Sequence, residues 1–598
     1  SESLGGSPLS VVLFSITFNE ISTIINENLY LNHCIYDDDL YILSNLHNND
    51  LTISNLSHTL NNIISWSIFS GAKISYVKTK LIHICRKRKC DMKHKQLICN
   101  NQNIELVTKL RILGLIFAAN YKWNEHLKYL KKSLAARVNF ISFLSSNKCY
   151  VHINTLIYLV KTLVLSKIDF GLFLYGSCPK TTRRTIESRY HQAIRSCLYA
   201  YSTTNIINMR AEASLPSIEE RSKFITAQLI PKLLSSTNSI INEYINTTIE
   251  CIKVHNYTGK KRIPSAITQA LEIATHLEIH LEHIQHIIQN PPWKIKPQHC
   301  HIGLSKHTKS ITSDVEFRQM FLKEKEKLLS NGWNLIYTDG SKLMSSSTAY
   351  AVVNENGETL TIARLIEYTS IFTAEACAIL KALETANNKT AICSDSLSVL
   401  EAVLSPNRSK WNLINKIKST LVKNKDKFKL FWIPGHCGII GNDTADEAAK
   451  FANSAPIITD PTWEKVDMKS YIKHSLINER NTKWSNYCHH HYKHINSCLT
   501  PTIYPTECDK PKIKVYSRLR LGHTIATHQH LRRGEPPPIC SHCNTNLTVM
   551  HILSDCPALD QLRRSIFNDI NPYYILKETI VDNIEKMYYF LKQSKFII

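Results

Sequence analysis

The sequence predicts a multidomain protein that joins mixed α/β parts to all-α parts. Three observations predict it. The chain has 598 residues, and at about 150 residues per domain that makes room for roughly four. Apolar residues make up 43% and charged residues 20%, so cores of ordinary size can form and wholesale disorder is not expected. The hydrophobic pattern also changes along the chain, from short strand-like runs, through long helical periodicity, to alternating strands and helices.

Charge narrows the partner. Seventy-two Lys and Arg against 49 Asp and Glu leave a net +23. That surplus points to a polyanion, either nucleic acid or an acidic membrane surface. A basic amphipathic anchor is lacking, which makes the membrane the weaker reading. The 18 cysteines are scattered without a signal-peptide pattern, so reduced thiols or local metal sites are expected in place of a disulfide scaffold. The nearest approach to an uncharged membrane span is Ile157 to Tyr175, broken by Lys161, Lys167 and Asp169. The expectation is an intracellular protein, nuclear or cytoplasmic, with no membrane partner. The first residue is Ser, which suggests a fragment.

Residues 1–125 mix apolar runs and turns. GGSPLSVVLF reads as a turn before an apolar run, and CIYDDDLYIL as two strands around an acidic turn. NLSHTLNNIISWSIFSGAKIS reads as a helix ending at Gly71. Residues 126–290 carry helical periodicity, as at Leu156, Leu159, Val160, Leu163 and Val164, with bends near Pro216 and Pro231. Lys128, Lys131 and Lys132 share one helix face and could follow a phosphate backbone, or simply be solvated. Residues 291–330 hold prolines and bases without periodicity and read as a linker.

From 331 to 455 the order is three strands, then helix, strand, helix, strand, helix, which predicts a mixed sheet with helices packed on it. Asp339 follows a strand, Glu375 lies on the first helix, Asp395 ends a strand, and Asp446 lies near the start of the last helix. Taken singly, each acid reads better as a surface or capping residue. Together, four carboxylates from four elements could converge and would then need cations. Hard oxygen ligands suit Mg²⁺ or Mn²⁺, and two such ions can activate water and stabilise a leaving oxygen.

In order and spacing, IYTDGSK, FTAEACAIL, AICSDSLSVL and WIPGHCGIIGNDTADEAAK resemble the type 1 ribonuclease H family. The resemblance implies hydrolysis of RNA in RNA–DNA hybrids, with two Mg²⁺ ions on Asp339, Glu375, Asp395 and Asp446. It also implies a mobile loop histidine at His436, and a nucleic-acid contact at Ser341 and Lys342. Cys377, Cys393 and Cys437 read as core or loop cysteines.

The acidic turn, with Gly71, Lys78, Thr79, the LGL at 113–115, Trp123 and His126, resembles the back half of a reverse transcriptase from a jockey-like non-LTR retrotransposon. That resemblance makes 1–125 a partial palm and 126–290 a thumb and connector. Asp38 and Asp39 become the remnant polymerase pair. Asp37, Leu4 and Gly5 depart from the family pattern. An earlier palm strand with another metal-binding Asp has no counterpart, so polymerisation by this chain alone is not expected.

Residues 456–598 are basic and rich in His and Cys. Cys540, Cys543, His551 and Cys556 have C-x2-C-x7-H-x4-C spacing, which can close a structural tetrahedral Zn²⁺ shell. The same lineage carries such a knuckle after an RLRLGHT segment, and Arg518 and Arg520, with neighbouring bases, suggest nucleic-acid binding. A second cluster, Cys488 to His491 with His494, reads better as a polar helix end or loop. The expected partners are RNA–DNA hybrid and other single-stranded or duplex nucleic acid, with association with other element-encoded protein left open. The alternative is a catalytically inactive nucleic-acid-binding remnant or co-opted copy.

Overall fold

The computed structural model describes residues 8–85, 92, 95–149, 151–236, 239–255, 265–279, 299–307, 312–344, 347–407, 409–424, 426–455, 457–487, 491–568 and 570–596. Cys488, His489 and His490, and the predicted turn at 5–7, lie outside them. The chain forms two compact units, one of Ser1–Cys149, Tyr158–Gly171 and Cys178–Ala193, the other of Tyr150–Ile157, Leu172–Ser177 and Ile194–Ile598.

In the first unit, the apolar run after the predicted turn is a helix, Pro8–Asn26. Its C-terminal half buries Ile21 and Ile25 in a cluster with Leu56, Ile63 and Ile104. Trp66 Nε1 donates to Glu20 across the pair at 2.8 Å. Its N-terminal half leaves Leu9, Val11, Val12 and Ile16 exposed. Leu9–Asn26 is long and apolar enough to cross a membrane by length and composition. That corrects the placement of the nearest candidate at Ile157 to Tyr175, a stretch that is instead divided among short helical segments. The acidic turn does join two antiparallel strands, Leu31–Tyr36 and Asp39–Ser44. The helix Asn49–Ser70 follows, capped by Asn48 and ended by Gly71 at φ +72.

The second unit holds a six-stranded mixed sheet. Its elements are β1 (Cys300–His301), α1 (Asp314–Ser330), β2 (Asn334–Lys342), β3 (Thr348–Asn354), β4 (Thr359–Arg364), α2 (Ile371–Thr385), β5 (Thr390–Ser394), α3 (Leu397–Leu404), α4 (Asn412–Lys423), β6 (Phe428–Trp432) and α5 (Ile440–Ala452). The spatial order is β4-β3-β2-β5-β6-β1. β2, β3 and β4 form an antiparallel meander, and β2, β5, β6 and β1 run parallel. The parallel strands are buried on both faces, so they read as continuous apolar runs. Leu335, Tyr337, Ala391, Cys393 and Phe431 face α1 and α5. Ile336, Val352, Ile392 and Leu430 face α2, α3 and α4.

Two parts of the sequence reading change here. The predicted linker 291–330 contributes the edge strand β1 and the helix α1, whose Ser313–Glu316 capping box and buried Phe317 and Phe321 fix it to the sheet. The periodicity of NLINKIKSTLVK makes a further helix, α4, which the predicted element order lacks.

Candidate active site and metal centres

The acids come together where β2 and β5 end. Ser394 pairs with Thr338 in the parallel ladder, so Asp339 and Asp395 leave adjacent strands side by side. Asp339 shares the Leu335–Tyr337 face of β2, whereas α2, which carries Glu375, covers the opposite face. Gly340 lets α2 reach the strand. A Cβ there would stand 3.0 Å from both Ala374 Cβ and the Glu375 nitrogen. Gly435 has the same role for Asp395, because a Cβ would lie 2.5 Å from Asp395 Oδ2.

Carboxylate oxygens of Asp339, Glu375 and Asp395 all lie within 4.8 Å of one another. Asp339 and Glu375 are each 6% exposed. Burial, then the charges of Asp395 and Asp446, push the Asp339 carboxyl up to about 8. Burial, Asp339 and Asp395 likewise push Glu375 well above the carboxylate range. Glu375 Oε2 is buried with no hydrogen-bond partner. Clustered carboxylates with an orphaned oxygen cost free energy as they stand, and a hard divalent cation removes that cost. The residues therefore fit Mg²⁺ or Mn²⁺.

Asp446 stands outside that tight trio. Lys450, one turn along α5, donates to its Oδ2 at 2.6 Å. His436 Nδ1 is 3.9 Å from the same oxygen. His436 takes φ +58 in the loop after β6, with its side chain 75% exposed. Sequence reasoning passed over Lys450, although its i,i+4 spacing from Asp446 is the signal for such a pair. Cys377, Cys393 and Cys437 are buried, as core residues are. Lys342 donates from Nζ to the Thr369 carbonyl at 2.8 Å. Ser341 is only 8% exposed, which leaves its side chain little surface for the contact assigned to it.

Near the C-terminus, one ligand atom from each of Cys540, Cys543, His551 and Cys556 lies within 4.8 Å of the others. Cys540 and Cys543 sit on a tight turn closed by Cys540 N–H to Thr545 O at 2.8 Å and Asn544 N–H to Cys540 O at 2.9 Å. Sγ of Cys556 is 3.9 Å from Cys540 and 3.6 Å from Cys543. A tetrahedron with Zn–S of about 2.3 Å has sulfur–sulfur edges of about 3.8 Å. His551 Nε2 is buried without a partner, while Nδ1 lies 3.5 Å from Thr545 Oγ1. The set fits a structural Zn²⁺ with no open position.

The remaining predicted residues divide. Lys128, Lys131 and Lys132 are exposed together on the helix Asn124–Leu144, and Lys128 pairs with Glu125 at 2.9 Å. Asp38 lies on the exposed turn and Asp39, also exposed, opens the strand after it, where it accepts from Tyr41 Oη at 2.9 Å. Among the described residues they belong to no metal-holding group. Arg520 is not a nucleic-acid contact. It is 2% exposed, and its guanidinium meets both oxygens of Glu212, itself 0% exposed, at 2.9 and 3.0 Å. Arg518 is half-buried, donating to Tyr199 O at 2.9 Å and stacked 4.3 Å from the Tyr201 ring. The local charge pattern gave no hint of this, because Glu212 lies 308 residues away in sequence. Among the other cluster residues, His491 is tied to Leu519 O at 2.7 Å.

The sheet order, the paired ends of β2 and β5 and the helix-borne Glu375 agree with the comparison with known families: the RNase H family model matches residues 332–454, and this stretch of the chain is an RNase H domain.

Proposed function

We propose that the chain hydrolyses the RNA strand of RNA–DNA hybrids at the Asp339 site. The observation that carries the reading is the convergence of Asp339, Glu375 and Asp395 within 4.8 Å inside the RNase H domain. Divalent ions held there would neutralise the phosphate and activate the attacking water. Asp339, Glu375 and Asp395 would hold the ions. Asp446, steadied by Lys450, adds a fourth carboxylate at the edge. His436, exposed and beside Asp446, would carry a proton to or from the cleaved ester oxygens. A 2′-hydroxyl on one strand only lets the protein identify the hybrid.

The Cys540 knuckle, as a structural Zn²⁺ site, and the Lys128–Lys132 face supply nucleic-acid contacts in this reading, consistent with the net +23. The exposed Asp37–Asp39 hairpin supports descent from a retrotransposon polymerase but lacks the buried carboxylate set seen at Asp339. The test is a labelled hybrid incubated with Mg²⁺ or EDTA. Internal RNA cuts that need Mg²⁺ and vanish in Asp395→Asn are expected. Full activity in that variant would sink the assignment. Salt-sensitive binding without cleavage would favour the inactive remnant.

A further inference from the structure

The matched domain ends at 454, yet the residues after it are fastened to it. The Thr459 and Asp460 amides donate to the Arg364 carbonyl on the outer strand β4, at 3.0 and 3.1 Å. Tyr350 Oη donates to Asp460 Oδ2 at 2.8 Å. Two further carboxylates of this segment, Glu464 and Asp467, are 1% and 3% exposed. Each meets the start of a helix in the domain.

Glu464 accepts from the Asn412 and Leu413 amides at 3.1 and 2.7 Å. These open α4, whose N-cap residue, Trp411, makes no side-chain cap bond. Asp467 accepts from the Ser370 amide at 3.1 Å and the Thr373 hydroxyl at 2.5 Å. These open α2. An anion at a helix start satisfies donors that lack intrahelical partners and complements the dipole. Glu375 lies two residues beyond Thr373 on α2. The segment is itself rooted elsewhere. Trp463 packs with Ile230, Ala270, Ala274 and Ile472, and Tyr471 Oη donates to Leu277 O at 3.0 Å.

We propose that Asp467, outside the RNase H domain, is a positioning residue for Glu375: it clamps the first turn of α2, so metal binding at Asp339, Glu375 and Asp395 depends on a strut anchored in the helices Ile230–Leu234 and Ala266–His276. The proposal rests on the hybrid-cleavage reading for its activity readout alone. Side chains that orient a ligand carboxylate from behind typically set metal affinity by 10–100-fold, on the order of what a ligand's own partner contributes.

The test uses the full chain and the variants Asp467→Ala, Asp467→Asn and Thr373→Val. Mn²⁺ binding is measured directly, with Asp395→Asn as the blank for the site, and hybrid cleavage is measured across a Mg²⁺ titration. Asp467→Ala should weaken Mn²⁺ and raise the half-saturating Mg²⁺ by about tenfold or more, with the hybrid KM unchanged within about twofold. Asp467→Asn, which keeps one acceptor, should fall between. Unchanged metal affinity in a folded Asp467→Ala overturns the proposal, as does a loss confined to KM. If Asp467→Ala fails to fold, Thr373→Val and Asp467→Asn decide by the same criterion. If the wild-type chain binds Mn²⁺ but cuts no hybrid, the cleavage reading fails while the Mn²⁺ comparison still decides the positioning role.

Discussion

Replacing Asp339 by Asn should stabilise the metal-free protein at neutral pH and make its stability less dependent on pH. In the folded chain, burial and the Asp395 and Asp446 charges raise Asp339 to about 8 from an ordinary value of 3.8. A carboxyl raised by folding contributes fully below its unfolded value, and that contribution is lost as pH rises toward the folded one. Each pH unit in this window costs about 1.4 kcal/mol for one proton. Between pH 6 and 8 the wild type should therefore lose about 2 kcal/mol that the Asp339→Asn variant keeps, the slope flattening as the folded value is reached. Glu375, raised in part by Asp339, pushes the difference the same way. Glu464 and Asp467 are also raised by burial, but both proteins carry them and they cancel. Mg²⁺ should narrow the gap, because a ligand at 100 times its Kd adds about 2.7 kcal/mol to the protein that binds it.

The assay is native-state hydrogen exchange of the β2 amides in the full chain, in EDTA and then in Mg²⁺, from pH 6 to 8. It reads the local opening of this strand, which a single melting temperature of so long a chain would not. Parallel opening free energies for wild type and variant across that range would refute the reasoning. The carboxylates would then not be held in one another's field.

Two further outcomes are expected. Arg520→Met strands the Glu212 carboxylate without its counter-ion in a buried position, and should destabilise the second unit by about 3–5 kcal/mol in urea unfolding, where an exposed nucleic-acid contact would cost almost nothing. Cys543→Ser should abolish binding of one equivalent of Zn²⁺, read by elemental analysis, expose the Cys540–Cys556 segment to protease, and raise the hybrid KM more than it lowers kcat.

The sequence disclosed the parts whose physics is local or periodic. The acidic hairpin, the helix ending at Gly71 and the strands of the RNase H domain were legible because turn residues, capping residues and apolar runs act over a few positions. The site acids were legible as a pattern, since each stands at a strand end or on a helix that a parallel sheet brings to one edge. What stayed hidden depends on the fold. Arg520 looks like its basic neighbours, and its burial is decided by Glu212 on a distant helix. Asp467 reads as an ordinary acid in the first turn of its own helix, yet its oxygens go to Ser370 and Thr373. Trp411 offers no cap to α4, and that local defect was the available clue that a remote carboxylate must supply one. The boundary of the domain is hidden for the same reason. Composition changes after 455, but the hydrogen bonds of Asp460, Glu464 and Asp467 cross that boundary, so the packed unit around the RNase H domain extends past the family pattern that identifies it.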